Sequence, residues 1–230
     1  MAARTFSLRE HEAVAAASEW RLIALLLERP RANWHDEVHA LAREVQSSTL
    51  RGASRVARDA DEGSYLRVFG SGGAVSPREV TYRGMEDPGR LLSNLAGFYE
   101  AFAYRPRAED PIDHVSVEAG FVGYLRLKEA FASSRGDEES ADVAAAGAKR
   151  FVEEHVRYWA GPLVAGLVRA GAPHLVLAAR SALDRAGPVP VRPAGPWTIA
   201  PRDSQDDDAS CGCGDDLVHG EKEPDPFAGA

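Results

Sequence analysis

The sequence predicts an all-α protein, and three observations carry that expectation. Apolar residues recur at helical spacing over long stretches, those stretches open and close on capping residues and prolines, and no run alternates apolar and polar residues as a half-buried strand would. There is no internal repeat of fixed period. The expected architecture is a single globular bundle of about seven helices over residues 1–187, followed by a proline-rich, acidic and disordered tail over 188–230.

Ser7-Leu8-Arg9-Glu10 reads as a capping box, and the helix it opens carries Trp20, Ile23, Leu26 and Leu27 before Pro30 stops it. A second helix starts near Asn33 and places Trp34, Val38, Leu41 and Val45 on one stripe. A charge-diluted helix is expected over 54–69, with Val56, Leu66 and Phe69 as its apolar residues. The glycines of Gly70-Ser71-Gly72-Gly73 then make a loop, and the chain stays irregular around Tyr82. Asp87-Pro88 supplies an N-cap and first-turn proline for a helix with Leu91, Leu92, Leu95, Phe98, Tyr99 and Phe102 on one face.

Asp110-Pro111 repeats that start signal, which predicts a helix over 111–132 with two apolar stripes, Val115/Ala119/Val122 and Val117/Phe121/Tyr124. Two stripes place it in the middle of the bundle. A long helix from about Ser140 lines up Val152, His155, Val156, Trp159 and Leu163, and Pro162 is expected to bend or break it. The last helix starts at Pro173 and ends at Gly187, beyond which five prolines up to Pro201 forbid another.

The formal charge of −8 is concentrated at one end. Asp203 to Ala230 holds nine acids against Lys222 alone, leaving 26 charges of each sign in residues 1–202. A neutral body with an acidic tail lacks the basic footprint of a nucleic-acid binder. No apolar run approaches the ~20 residues of a membrane span, so no stable membrane insertion is expected. The N-terminus has neither a secretory signal nor paired arginines, and Cys211 and Cys213 are too close together to cross-link a fold, so a cytoplasmic location is expected.

His35 and His39 stand one turn apart, the spacing that presents two imidazoles to a zinc ion, with Asp36 where a metalloprotease has glutamate. Cys211, Cys213 and His219 could contribute to a soft-metal site. A metal-binding protein or metalloenzyme built on either set is the alternative reading. The paired Glu-x-x-His of di-iron bundles, the Gly-x-Ser-x-Gly elbow and the P-loop are all missing, and the residues call for no cofactor. In Asp113-His114-Val115-Ser116-Val117-Glu118, spacing puts His114 and Glu118 on a helix face with Phe121 and Leu125, and Asp113 in the first turn. Polar tips thus adjoin an apolar strip.

Several segments in this order resemble the TorD/DmsD/NarJ family of chaperones for molybdenum enzymes. They are Tyr65-Leu66-Arg67-Val68-Phe69, Pro77-Arg78-Glu79-Val80-Thr81-Tyr82, the Leu91 to Phe102 helix, the Asp113 to Glu118 segment, and His155-Val156-Arg157-Tyr158-Trp159. The resemblance covers about residues 14–186. It implies an all-helical, non-enzymatic cytoplasmic protein that binds the twin-arginine signal peptide, or another N-terminal segment, of a molybdopterin enzyme's catalytic subunit and holds it until the cofactor is inserted. The family's Asp-His motif maps onto Asp113 and His114, and Glu118 matches its following acid. Two features depart from the family. Ala103 and Tyr104 stand where many members have glycine after the aromatic, and the acidic tail with two cysteines is not a general family feature. A chemical rationale accompanies the resemblance: arginines followed by an apolar stretch call for carboxylates beside a hydrophobic groove, and Asp113, His114, Glu118, Phe121 and Leu125 are the candidate peptide-binding residues.

Overall fold

Ser7 caps the first helix as its hydroxyl predicts: Glu10 N–H donates to Ser7 Oγ at 3.1 Å, and Ser7 N–H donates to the Glu10 carboxylate at 2.5 Å. The computed structural model describes residues 7–106 and 110–189. Among these residues it has nine α-helices and no strand, which is the all-α class expected. They are α1 (Leu8–Leu27), α2 (Trp34–Glu44), α3 (Ser48–Val56), α4 (Glu62–Phe69), α5 (Pro88–Ala101), α6 (Val115–Ser134), α7 (Glu138–Phe151), α8 (Arg157–Ala170) and α9 (Pro173–Ala186). Residues of the acidic tail beyond 189, with Cys211, Cys213 and His219, lie outside the described residues.

α1 and α6 form the central pair. Leu22 to Leu27 are all buried, so the last six residues of α1 are apolar on every side and need neighbours all round. α6 meets it through small residues: a Cβ at Gly123 would stand 3.2 Å from Arg21 N and 3.3 Å from Ala17 O, closer than side chains normally approach a backbone. α7 packs on α6, and α9 packs against α1, α3 and α8. Trp34 locks α2 to the end of α1 by donating its indole N–H at 2.7 Å to the Leu25 carbonyl, a last-turn acceptor that also takes the Glu28 N–H at 3.3 Å.

Three local expectations are corrected. The helix expected over 54–69 is two helices, α3 and α4, separated by a 3-10 turn at Ala57–Asp59. Asp61 starts α4 afresh by accepting from Ser64 N–H at 2.6 Å. The break turns Val56 and Leu66 outward, and the core takes Leu50, Ala53, Ala57, Tyr65 and Val68 from this region with Phe69. Residues 111–114 are not helical: α6 begins at Val115, with His114 as its cap. Pro162 lies inside α8 without ending it, and the irregularity falls upstream as a π-helical turn, Val152–Val156, that joins α7 to α8. With these changes the helix count exceeds seven.

α5 ends in a Schellman arrangement, Tyr104 N–H to Tyr99 O at 2.8 Å and Ala103 N–H to Glu100 O at 3.0 Å. It forces Ala103 to a φ of +55°, where glycine is the residue without steric cost.

Candidate functional site

The segment 77–80 is drawn against 113–115 by an isolated antiparallel bridge between Arg78 and His114. Glu79 N–H donates to Asp113 O, and Val115 N–H donates to Pro77 O, both at 2.9 Å. This pairing positions the Asp-His segment. Asp113 is fully buried and sits before the cap rather than in the first helical turn. Its Oδ1 accepts from Arg78 Nε at 2.5 Å, and its Oδ2 from Val80 N–H at 3.4 Å. His114 caps α6 through Nδ1, which accepts from Ser116 N–H at 3.2 Å and lies 2.6 Å from Ser116 Oγ. An accepting Nδ1 puts the ring proton on Nε2, which donates to Tyr65 Oη at 3.1 Å. Burial lowers the His114 pKa to about 4, so the ring is neutral at physiological pH.

A second buried cluster lies on the other side of the same segment. Glu79, fully buried, accepts from Arg83 Nε at 2.7 Å and pairs with His155 Nδ1 at 2.9 Å. The other His155 ring nitrogen is 3.0 Å from Asn94 Oδ1. The π turn carries His155, so the inserted residue is what aims the imidazole inward. Arg83 also donates to the Glu154 carbonyl and lies 3.9 Å over the Tyr158 ring. Glu118 Oε2 accepts from Trp159 Nε1 at 2.7 Å, while Oε1 has no donor. Burial first, and then the charge of Glu79, push the Glu118 acid well above the usual carboxyl range. Glu79, Arg83, Asn94 and His155 were not singled out as candidates from sequence. The hints of them were that Glu79, Asn94 and His155 fall within the segments that carry the family resemblance, and that Glu79 and Arg83, an acid and a base, are spaced four apart in an otherwise irregular stretch.

The structure brings Asp113, His114 and Glu118 together, but buries them, and Phe121 and Leu125 are fully buried as well. Phe121 sits among Tyr99, Phe151 and Tyr104, with ring centroids 4.9, 4.7 and 5.1 Å away. Four of these five residues are thus interior rather than groove-lining, whereas His114 reaches the wall of a cleft beside the 70–76 loop. An open cleft of about 460 Å³ lies one helix row away, between α1 and α6, where Val117, Gly120, Tyr124 and Leu127 face Ala17, Ser18 and Arg21. Glu28, Asp110 and Arg105 belong to the same lining. A second cleft, of about 480 Å³, runs between the 70–76 loop and Pro111, with Tyr65, Arg78 and His114 on its walls. A third groove, lined by Arg126, Lys149, Arg157 and Arg185, has the wrong sign for a basic peptide.

The family described as "Nitrate reductase delta subunit" matches residues 27–165 of this chain, more than half of its length. The chain belongs to that family. No curated protein and no solved structure matches it. The nitrate reductase delta family is the NarJ/TorD-type chaperone family of molybdoenzyme assembly, which acts beside a catalytic subunit. The matched span includes both buried clusters and the α6 side of the cleft.

In this delta-family chain His35 and His39 are exposed and share a small cleft with Arg55 and Arg58, whose guanidinium groups oppose a metal cation. Among the described residues no group of three or more His, Cys, Asp or Glu is placed to hold a metal, and no helix is long and apolar enough to cross a membrane.

Proposed function

We propose that this protein is a cytoplasmic assembly chaperone that holds the N-terminal segment, or twin-arginine signal peptide, of a molybdenum oxidoreductase catalytic subunit until the cofactor is in place, and that it performs no chemistry itself. The observation that carries the reading is the α1–α6 cleft in a chain of this family: glycines and alanine are part of its lining, Tyr104, Tyr124 and Leu127 give it an apolar wall, and the carboxylates of Glu28 and Asp110 also line it. Its helix-spaced row 117/120/124/127 suits the apolar stretch of a leader. Glu28, already 2.8 Å from Arg21, and Asp110 supply acceptors for the arginines that precede that stretch. Asp113, His114, Glu118, Phe121 and Leu125 serve the site from beneath, by setting the start and packing of α6.

Calorimetric titration with synthetic leaders of molybdenum catalytic subunits from the native host tests the reading. A leader binding with micromolar affinity, about −8 kcal/mol, and binding Leu127→Asp about tenfold more weakly is the expected result. A folded protein that binds none of these leaders overturns it. Truncating Asp113 or Glu118 is a poor test, because it leaves buried partners unpaired.

A further inference from the structure

We propose that the basic groove between α1 and the α7–α8 rod is a second docking surface, separate from the leader cleft, and that it takes an acidic segment of a protein partner through two carboxylates about 12 Å apart. The proposal does not depend on the leader reading.

The groove encloses about 640 Å³, and Ala16 of α1 with Ala145 and Ala146 of α7 give it small apolar walls. Its charged residues are Arg126, Lys149, Arg157 and Arg185 against Glu153 alone. In a body with equal numbers of each sign this is a local excess of cation. Two of the four are already matched, Arg126 by Glu129 at 2.9 Å and Arg185 by Glu19 at 2.5 Å. The other two are not. Lys149 is exposed and has no acceptor among the described residues. Arg157 spends only Nε, on the Ala186 carbonyl at 2.9 Å, so a neutral group orients its guanidinium and both terminal nitrogens stay available. Behind them Arg126 keeps a buried Nε with no acceptor, a donor that adds to the positive potential of the groove.

The order of charges selects the ligand. Lys149, Glu153 and Arg157 follow one another at four-residue intervals along the rod made by α7, the π turn and α8, which separates the two cations by about 12 Å. A single small anion placed between them would lie against the Glu153 carboxylate. Two carboxylates eight residues apart on a helix, or four apart on an extended segment, meet one cation each and clear that acid. Small side chains between them fit the alanine walls. A nucleotide finds no ring to stack on, because Trp20 is only 4% exposed, and the neutral body gives nucleic acid no extended basic track.

Successive residues turn by about 100° around a helix. Ala16 and Trp20 therefore lie on a different side of α1 from Ser18 and Arg21, which line the leader cleft. The two surfaces can be filled together.

Fluorescence anisotropy on the full chain tests this with a labelled alanine-rich helical peptide carrying two glutamates eight residues apart, and with its twin carrying glutamines there. The glutamate peptide should bind in a salt-dependent way, and the glutamine twin about tenfold or more weakly. Lys149→Glu, at an exposed position, should keep the circular dichroism of the wild type and weaken the glutamate peptide about tenfold, whereas Glu153→Gln should tighten it. Neither variant should change leader affinity, and micromolar inorganic phosphate should not displace the peptide. The proposal is overturned if neither peptide binds, if the two bind alike, if Lys149→Glu binds as the wild type does, or if micromolar phosphate competes, which would mark a point-anion site. A wild type that binds the glutamate peptide but no leader leaves this surface standing and removes the leader reading. Leader binding without glutamate-peptide binding does the reverse.

Discussion

The interior around residues 76–83 and the cleft between α1 and α6 treat polar chemistry in opposite ways. In the interior, Asp113, Glu79 and Glu118 are fully buried and share Arg78, Arg83, His155 and Trp159 as partners, so charge is used to tie an irregular segment to α6, the π turn and α8. In the cleft, glycine and alanine keep an apolar surface open, and Glu28 and Asp110 share its lining with Arg21 and Arg105. A polar residue in this fold is therefore a poor guide to where a partner binds. The charged groups with the most partners hold the frame, and shape supplies the open surface.

The largest effect should come from breaking the interior. Glu79→Ala strands Arg83 and His155 and should cost about 3–5 kcal/mol in urea unfolding, whereas Leu127→Asp, on the cleft wall, should stay within about 0.5 kcal/mol. Equal losses would dissolve the contrast between the two regions.

Acid should weaken the interior next. The folded pKa of His114 is lowered to about 4 by burial, against 6.5 in the unfolded chain. Between those values the unfolded state binds a proton that the folded state refuses, so stability rises with pH across the window and is lost as pH falls from 6.5 to 4. The contribution is roughly 3 kcal/mol. His174, also lowered to about 4 by burial, adds to the same loss. Stability curves at pH 7.5 and 4.5 should thus converge more closely for His114→Asn, which can still cap α6, and an unchanged gap would remove His114 as the cause.

In the cleft, Leu127→Asp should weaken leader binding by about tenfold, or 1.4 kcal/mol, with circular dichroism unchanged. Glu118→Gln sharpens the comparison from the other side. The folded state holds a proton on Glu118 that the unfolded chain releases above its ordinary pKa, so the acid loses stability as pH rises from that value toward the raised folded one. The amide should gain about 1 kcal/mol at pH 7.5 and leave leader affinity as it was. The smallest expected effect is at Ala103, where glycine relieves the positive φ and should add about 0.5 kcal/mol, after the entropy it adds to the unfolded chain.

Much of the helical frame was legible because its signals are local. Ser7 with Glu10 and Asp87 with Pro88 cap the helices they were expected to cap, and Asn33 and Gly187 mark the ends they were expected to mark. The α6 start was not legible, because Asp110, Asp113 and His114 all offer capping chemistry within five residues. The choice fell to His114 through pairing with Pro77 and Glu79, more than thirty residues away. Pro162 was misread for a related reason: the lost helical bond costs about 3 kcal/mol, but the burial of Trp159, Leu163 and Leu167 holds α8 together around it.

By itself, then, the sequence determined the helical class, most of the caps and the apolar stripes that build the core, since these depend on neighbours within a turn or two along the chain. It also placed the resemblance on segments that lie within the span matched by the delta family. Only the tertiary structure decided which face of α6 stays open and which acids are buried. Both depend on how closely α1 approaches Gly120 and Gly123, and on the long-range bridge that folds Arg78 over Asp113. Spacing along one helix carries no information about such contacts, because burial is set by what packs against each face.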